Sequence, residues 1–453
     1  MSFKKTLALL LGVAILAYGL LIPQLGFYWD EFPMAWIYFR LGPDALTQYF
    51  STNRPFWGMV YQATLPLLGP DPWRWQVFAL VLRWLSAVLV YAILRLAWPK
   101  NPRPALWSSL FFLVFPGFGQ QFISLMYSQF FICLDAFLLS LYLSLLAVRR
   151  RSIPLHALAL AFSLFNLLTT EYFYFLEFAR LGLLWFIVEK PKIRRVVINF
   201  SPYFILWIGL TLWRIFFFPY QTTNYKYVAL EQLKASPLLG IWNLLASIFQ
   251  SFWESVPKTW LLAFGPIDFS TLGQRTAILT IVLALFSILA LGMILFQDVI
   301  ARRSVPKQSP VEEKEIASGL RLQRAERASA QPLAMTSDWP WQALALGAFT
   351  WLVAGGSFWL VGVLPKTEFN GDRFMMPFML GSSLILAGAI GLLAKWPRAQ
   401  ITLIALIVGL SISHQFQAAN TYRRDWATQK NLFWQMAWRM PALEPGTAIL
   451  SND

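Results

Sequence analysis

Residues 4–33 read KKTLALLLGVAILAYGLLIPQLGFYWDEFP. The chemistry runs from basic to apolar and then to aromatic and acidic. The apolar run over residues 6–25 matches the roughly 20 residues that a helix needs to cross a hydrocarbon core of about 30 Å. Lys4 and Lys5 precede it, and lysine and arginine collect on the cytoplasmic flanks of membrane helices. The N-terminus is therefore read as inside, and Asp30 and Glu31 as emerging outside. A cleaved signal peptide would share the basic start, but the core continues to Leu25 without a small-x-small cleavage pattern, so the segment is read as an uncleaved anchor.

The same reading extends along the chain. With 57% hydrophobic residues, 13% charged residues and a mean hydropathy of +0.54, the sequence is too apolar for water to be its main solvent. Further apolar runs fall at 75–97, 105–119, 127–148, 155–170, 173–189, 196–218, 276–298, 341–364, 374–394 and 400–418. Together they predict an all-α, polytopic transmembrane helix bundle of about eleven spans. The formal net charge of +15 does not point to nucleic acid, because the cations come in short bursts between apolar runs and not along one soluble face. Lys100 with Arg103, the cluster at 149–151, the cluster at 190–195, and Lys395 with Arg398 fall on the side of Lys4, which puts the C-terminus outside.

This topology predicts a transmembrane catalytic module over 1–300 with outer loops at 26–74 and 219–275, a cytoplasmic linker at 301–338, C-terminal membrane helices over 339–418, and a short external amphipathic segment at 419–453. Within the outer loops, 44–49 reads as a short interfacial helix and 238–253 as an amphipathic one. Beyond the last span, Tyr422, Trp426, Phe433, Ala437 and Met440 share one helical face, which predicts a separate helix lying on the surface. No internal repeat is visible, which weighs against a transporter built from two related halves.

Few residues can carry chemistry. Cys133 is the only cysteine, so an internal disulfide and a cysteine metal cluster are excluded. His156 and His414 fall on opposite sides of the membrane, and no metal ligand set is assigned. Neither a Walker-type phosphate loop nor a Gly-x-Ser-x-Gly nucleophile elbow occurs. What remains is the acids and cations of the outer loops. A transferase that takes a sugar from a lipid phosphate needs a carboxylate to remove the acceptor's proton and cations to stabilise the leaving phosphate. Asp30 and Glu31 suit the first task. Arg54 suits the second, because a guanidinium can grip phosphate through two parallel hydrogen bonds, and Lys366 and Arg373 flank a turn at Gly371 that adds further cations. Tyr28, Trp29, Asn53, Glu171 and Arg275 are candidate substrate contacts, and Arg214, Lys226, Lys258 and Arg275 are weaker candidates among the cations. Each cation has an alternative role as a headgroup anchor. Glu177 and Arg180, three apart in one span, read as a structural ion pair, and Asp135 is expected to pair with a group such as Arg83.

Tyr28-Trp29-Asp30-Glu31 early in the first outer loop, Asn53-Arg54-Pro55 later in it, an N-in first helix and an external C-terminus resemble the GT-C fold membrane glycosyltransferases. Within that group the pattern is similar to bacterial relatives of protein O-mannosyltransferases and aminoarabinose transferases. The resemblance implies a polyprenyl-phosphate sugar as donor, inverting transfer facing outward from the bacterial cytoplasmic membrane, and Asp30 as the catalytic base. The implied partners are membrane lipid, the lipid-linked sugar, and a glycan, lipid or protein acceptor. No motif demands a cofactor, and a divalent metal stays open. A carrier or flippase for lipid-linked sugars and a polysaccharide polymerase or ligase are the competing classes. A carrier should gather polar residues at the bilayer midplane, whereas here they gather at the outer interface.

Overall fold

A computed structural model describes residues 2–218, 227–267, 269–303 and 338–447, and every regular element among them is helical. Lys226, most of the expected linker (304–337) and residues 448–453 lie outside the described residues. The segment expected as the first outer loop follows α1 (Phe3–Ala14) and carries α2 (Glu31–Trp36), α3 (Pro43–Ser51) and α4 (Trp57–Leu68). A run of helices follows with α5 (Pro72–Ala97), α6 (Arg103–Leu113), α7 (Ser124–Arg150), α8 (Ile153–Thr169), α9 (Ala179–Ile187) and α10 (Lys192–Phe216). The segment expected as the second outer loop holds α11 (Val228–Ala235), α12 (Pro237–Trp253), α13 (Thr259–Leu262) and α14 (Phe269–Leu272). The chain closes with α15 (Gln274–Arg303), α16 (Trp339–Ala354), α17 (Gly356–Val361), α18 (Met379–Gly391) and α19 (Pro397–Arg439).

Eight stretches among the described residues are long and apolar enough to cross a membrane: Phe3–Gln24, Pro72–Ala97, Ser124–Arg150, Lys192–Phe216, Gln274–Gln297, Trp339–Val361, Asp372–Gly391 and Pro397–Arg439. The other three runs expected to span are shorter as helices. The run at 105–119 holds α6, of 11 residues. The run at 155–170 is α8, of 17 residues, and the run at 173–189 is a 3₁₀ turn followed by α9, of 9 residues. Local signals set several ends. Proline opens α5, α8, α12 and α19 in the first turn, where its missing N–H costs nothing. Arg151, in the left-handed region at φ 52°, stops α7 after Arg149 and Arg150 have placed positive charge on its carbonyl end.

The short helix α6 explains most of the buried polar groups nearby. Past Leu113 the chain runs on to Ile123 with one three-residue 3₁₀ turn, Gln120–Phe122, as its regular element, enclosed by protein. Irregular backbone at membrane depth persists only where protein satisfies its polar groups. Arg83, fully buried on α5, does so by donating to the carbonyls of Leu113 (3.0 Å) and Phe112 (3.2 Å), while the Tyr18 hydroxyl donates to Leu113 as well (2.8 Å). Gln415 donates to the Phe115 carbonyl at 3.0 Å and Gln76 to that of Phe122 at 2.7 Å. Arg83 therefore does not pair with Asp135. The carbonyl end of a broken helix carries partial negative charge and draws the guanidinium, while Asp135 accepts from Ser86 at 2.5 Å. The expected Glu177–Arg180 pair is present at 2.8 Å.

The last helix also departs from expectation. α19 has 43 residues, about 65 Å at 1.5 Å per residue, or roughly twice a hydrocarbon core. The amphipathic segment expected from residue 419 continues the last span as one helix to Arg439 and is not a separate surface-lying helix. Between Gly409 and Arg439 the sequence has neither Gly nor Pro, so nothing breaks the helix where it leaves the apolar layer.

Candidate functional site

The acidic pair divides at the start of α2. Trp29 turns the chain with a left-handed φ of 49°, and the two carboxylates after it separate. Glu31 is completely buried and accepts from the Tyr28 amide at 2.7 Å and, by a shorter contact, from the Leu125 amide at the start of α7. Burial pushes its carboxyl well above the ordinary glutamate value, against the pull of the Tyr28, Leu125 and Met126 amides. Asp30 is half-buried and makes no capping hydrogen bond to α2. Burial raises its carboxyl as well, and the Arg373 charge pulls the other way.

The loop that aims Asp30 is pinned from behind by α19. The Tyr28 hydroxyl donates to the Tyr422 carbonyl at 2.9 Å and accepts from the Gly26 amide at 2.9 Å. Gly26 lies so close to Trp426 that a Cβ would sit 1.9 Å from its ring, so only glycine fits.

Arg373 approaches from the start of the 3₁₀ segment Asp372–Phe378 that leads into α18. Its guanidinium lies 5.4 Å from the Trp29 ring centre and 4.8 Å from that of Phe374, and its buried Nε has no hydrogen-bond partner among the described residues. Asp372 fixes this loop by accepting from the Gly119 amide at 3.0 Å and from the Gln120 side chain, whose oxygen in turn accepts from Tyr127. On the other flank Glu254 accepts from the Thr367 amide at 3.0 Å and from Lys258 at 2.8 Å. Lys366 is exposed beside that anchor.

Arg54 joins Glu171 instead of standing alone. Its Nε donates to both carboxylate oxygens at 3.1 Å, with a shorter contact through Nη2. Burial alone would raise the Glu171 carboxyl, but the charge and hydrogen bonds of Arg54, with help from Arg214, outweigh it and leave the carboxyl lowered. Arg214 also donates to the Leu167 and Leu168 carbonyls at 3.1 Å, closing the end of α8. Asn53 keeps a buried oxygen without a hydrogen-bond partner among the described residues. Arg275 stands exposed at the start of α15, and no contact among the described residues joins it to either cluster.

One wall of rings connects the two clusters. Arg54 lies 5.7 Å from Trp57, Trp57 4.6 Å from Phe130, Phe130 4.8 Å from Tyr172 and Tyr172 5.8 Å from Phe374, on which Arg373 rests. Two arginines far apart in sequence thus end the same aromatic surface, with Asp30 at one end. Asp372, Tyr127 and Tyr172 belong to this constellation and had not been singled out. The one available signal was Asp372 beside Arg373 directly after Gly371. Comparison with protein-family models, with curated proteins and with solved structures finds no match. No group of three or more His, Cys, Asp or Glu side chains among the described residues could hold a metal ion. The arrangement offers a proton acceptor, guanidinium groups for an anion and, in the exposed Trp29, a ring face beside Arg373, while Trp57, Phe130 and Tyr172 are buried core that links the two clusters.

Proposed function

We propose that the protein is an inverting membrane glycosyltransferase of GT-C type, which moves a sugar from a polyprenyl-phosphate donor to an acceptor hydroxyl or amine at the outer face of the bacterial cytoplasmic membrane. The observation that carries this reading is the division within the acidic pair: Glu31 is held by backbone amides, whereas Asp30 is half-exposed, uncommitted to a helix cap and next to the Arg373 charge. Asp30 takes the acceptor's proton as the acceptor oxygen or nitrogen attacks the anomeric carbon. The bond to the phosphate oxygen breaks on the opposite face, which inverts the configuration, and the bonding electrons leave with the phosphate. Desolvation makes Asp30 a stronger base than a free aspartate. The leaving phosphate is received first by Arg373, whose Nε is unsatisfied. Arg54 and Arg214 together outnumber the single charge of Glu171 and supply the second positive region.

Two contacts support more crossings than the eight long helices: Glu31 meets Leu125, as expected if 103–123 crosses as a short helix plus less regular chain, and Arg54 meets Glu171, as expected if α8 crosses as well. Reconstituted protein given a panel of polyprenyl-phosphate sugars, read by mass spectrometry, is expected to strip the sugar from one donor. Transbilayer movement of an intact donor with no loss of sugar would establish the carrier class instead.

A further inference from the structure

The part of α19 beyond the membrane carries large aromatic side chains with no evident structural task. Phe433 is 54%, Trp434 71% and Trp438 77% exposed. Together with Trp426, Lys430, Asn431, Ala437 and Phe32 from α2, Phe433 and Trp434 line an open groove of about 660 Å³, within the range of clefts that hold small ligands. These rings are too far out to be interfacial anchors. Asn420 is the last buried residue of the helix, and the charged triplet Arg423, Arg424 and Asp425 follows it. Phe433 and Trp434, which line the groove, lie about 12–14 Å along the axis past Asp425. Even at a steep tilt of about 40° the rise is about 9–10 Å, against a headgroup layer of about 5–8 Å.

We propose that this ridge docks the acceptor, and that the acceptor is a saccharide chain. The inference rests on the transferase reading and names its acceptor class. Three observations select a sugar over another occupant. A pyranose offers a flat C–H face that suits the electron-rich face of an exposed indole, and hydroxyls around its rim that suit Lys430 and Asn431 within the same groove. A partner helix would need an uninterrupted apolar stripe, but Lys430 lies in the middle of this one, 5.7 Å from the Trp426 ring centre. The groove is also continuous with the proposed catalytic loop: Phe32 faces Phe433 at 6.3 Å and sits in the first turn of the helix that Asp30 precedes. A chain lying along the ridge is thereby led towards the acid.

The test uses the full chain in lipid nanodiscs with cellohexaose and chitohexaose as probes, read by saturation-transfer NMR. Wild type is expected to saturate the sugar ring C–H protons. Trp434→Ala should weaken binding by about tenfold, the size of a lost aromatic contact, while Trp434→Phe keeps most of it. Trp434 is exposed, so the variants should fold, and an unchanged thermal transition checks this. Absence of saturation in wild type, binding indifferent to Trp434→Ala, or a dimer that Trp434→Ala converts to monomer would each overturn the proposal. Sugar binding that survives when no donor is ever cleaved would defeat the transferase reading and leave the platform. Transfer with an acceptor KM unmoved by Trp434→Ala would defeat the platform alone.

Discussion

Two glutamate–arginine pairs, whose glutamates Glu171 and Glu177 stand six residues apart, face opposite environments. Glu177 and Arg180 are sealed inside the bundle, 1% and 0% exposed. Ser163 donates to the glutamate at 2.8 Å, Ser140 and Ser144 accept from the arginine at 2.9 and 2.5 Å, and the Tyr203 ring lies 3.8 Å from the guanidinium. Glu171 and Arg54 are 30% and 18% exposed, share a second cation in Arg214, and open on the aromatic wall that leads to Arg373 and Asp30. The first pair is held by side chains of α7, α8 and α10, with only the Arg180 Nε left without a partner among the described residues, and, enclosed on all sides, it has little to offer a ligand. The second has excess positive charge, and that excess separates a candidate site from a structural clamp.

The largest expected effect breaks the clamp. Arg180→Ala leaves Glu177 charged and enclosed and should cost about 3–5 kcal/mol, read as a drop in the thermal transition of nanodisc-embedded protein. A loss below about 1 kcal/mol would erase the distinction drawn between the pairs. Next comes Glu31→Gln, which turns an amide N–H towards a backbone amide and should cost about 1–3 kcal/mol of stability without abolishing donor binding. If stability were unchanged while donor binding vanished, Glu31 would belong to the substrate and not to the end of α7.

Smallest in stability is Arg54→Ala, expected at or below about 1 kcal/mol because the pair meets solvent, with a clear loss of transfer. Acid sharpens the same contrast. The Glu171 carboxyl is lowered in the folded protein, so its pairing contributes fully above the ordinary value of 4.5 and is lost as pH falls through the lowered value. The Asp30 carboxyl is raised, so the transfer rate should climb as pH rises through that raised value and level off above it. A rate that falls over that interval would mean the protonated form is the active one.

The apolar runs made the bundle legible, because span length is fixed by membrane thickness and a run of leucines reports it directly. What length alone does not report is regularity: the run read at 105–119 leaves the α-helix after Leu113, where Pro116, Gly117 and Gly119 follow, and this stretch is held by Arg83, Tyr18, Gln76 and Gln415. The continuity of α19 was hidden for the opposite reason. The charges at 423–425 mark where the apolar layer ends, and a helix need not end with it. In the site, Asp30, Arg54, Glu171 and Arg373 could each be read as an outer-face polar residue. That Arg54 binds Glu171, that Glu31 turns inward, and that Asp372 anchors Arg373 depend on contacts across 94 to 253 residues of sequence, which no local pattern encodes.

The central claim is that Asp30 is the base. It is tested most directly by single-turnover transfer from the donor that wild type consumes, comparing wild type with Asp30→Asn in the same nanodiscs. The account predicts unchanged folding, retained donor binding and a rate lower by roughly 10²-fold to 10⁴-fold. A rate equal to wild type in Asp30→Asn would contradict it.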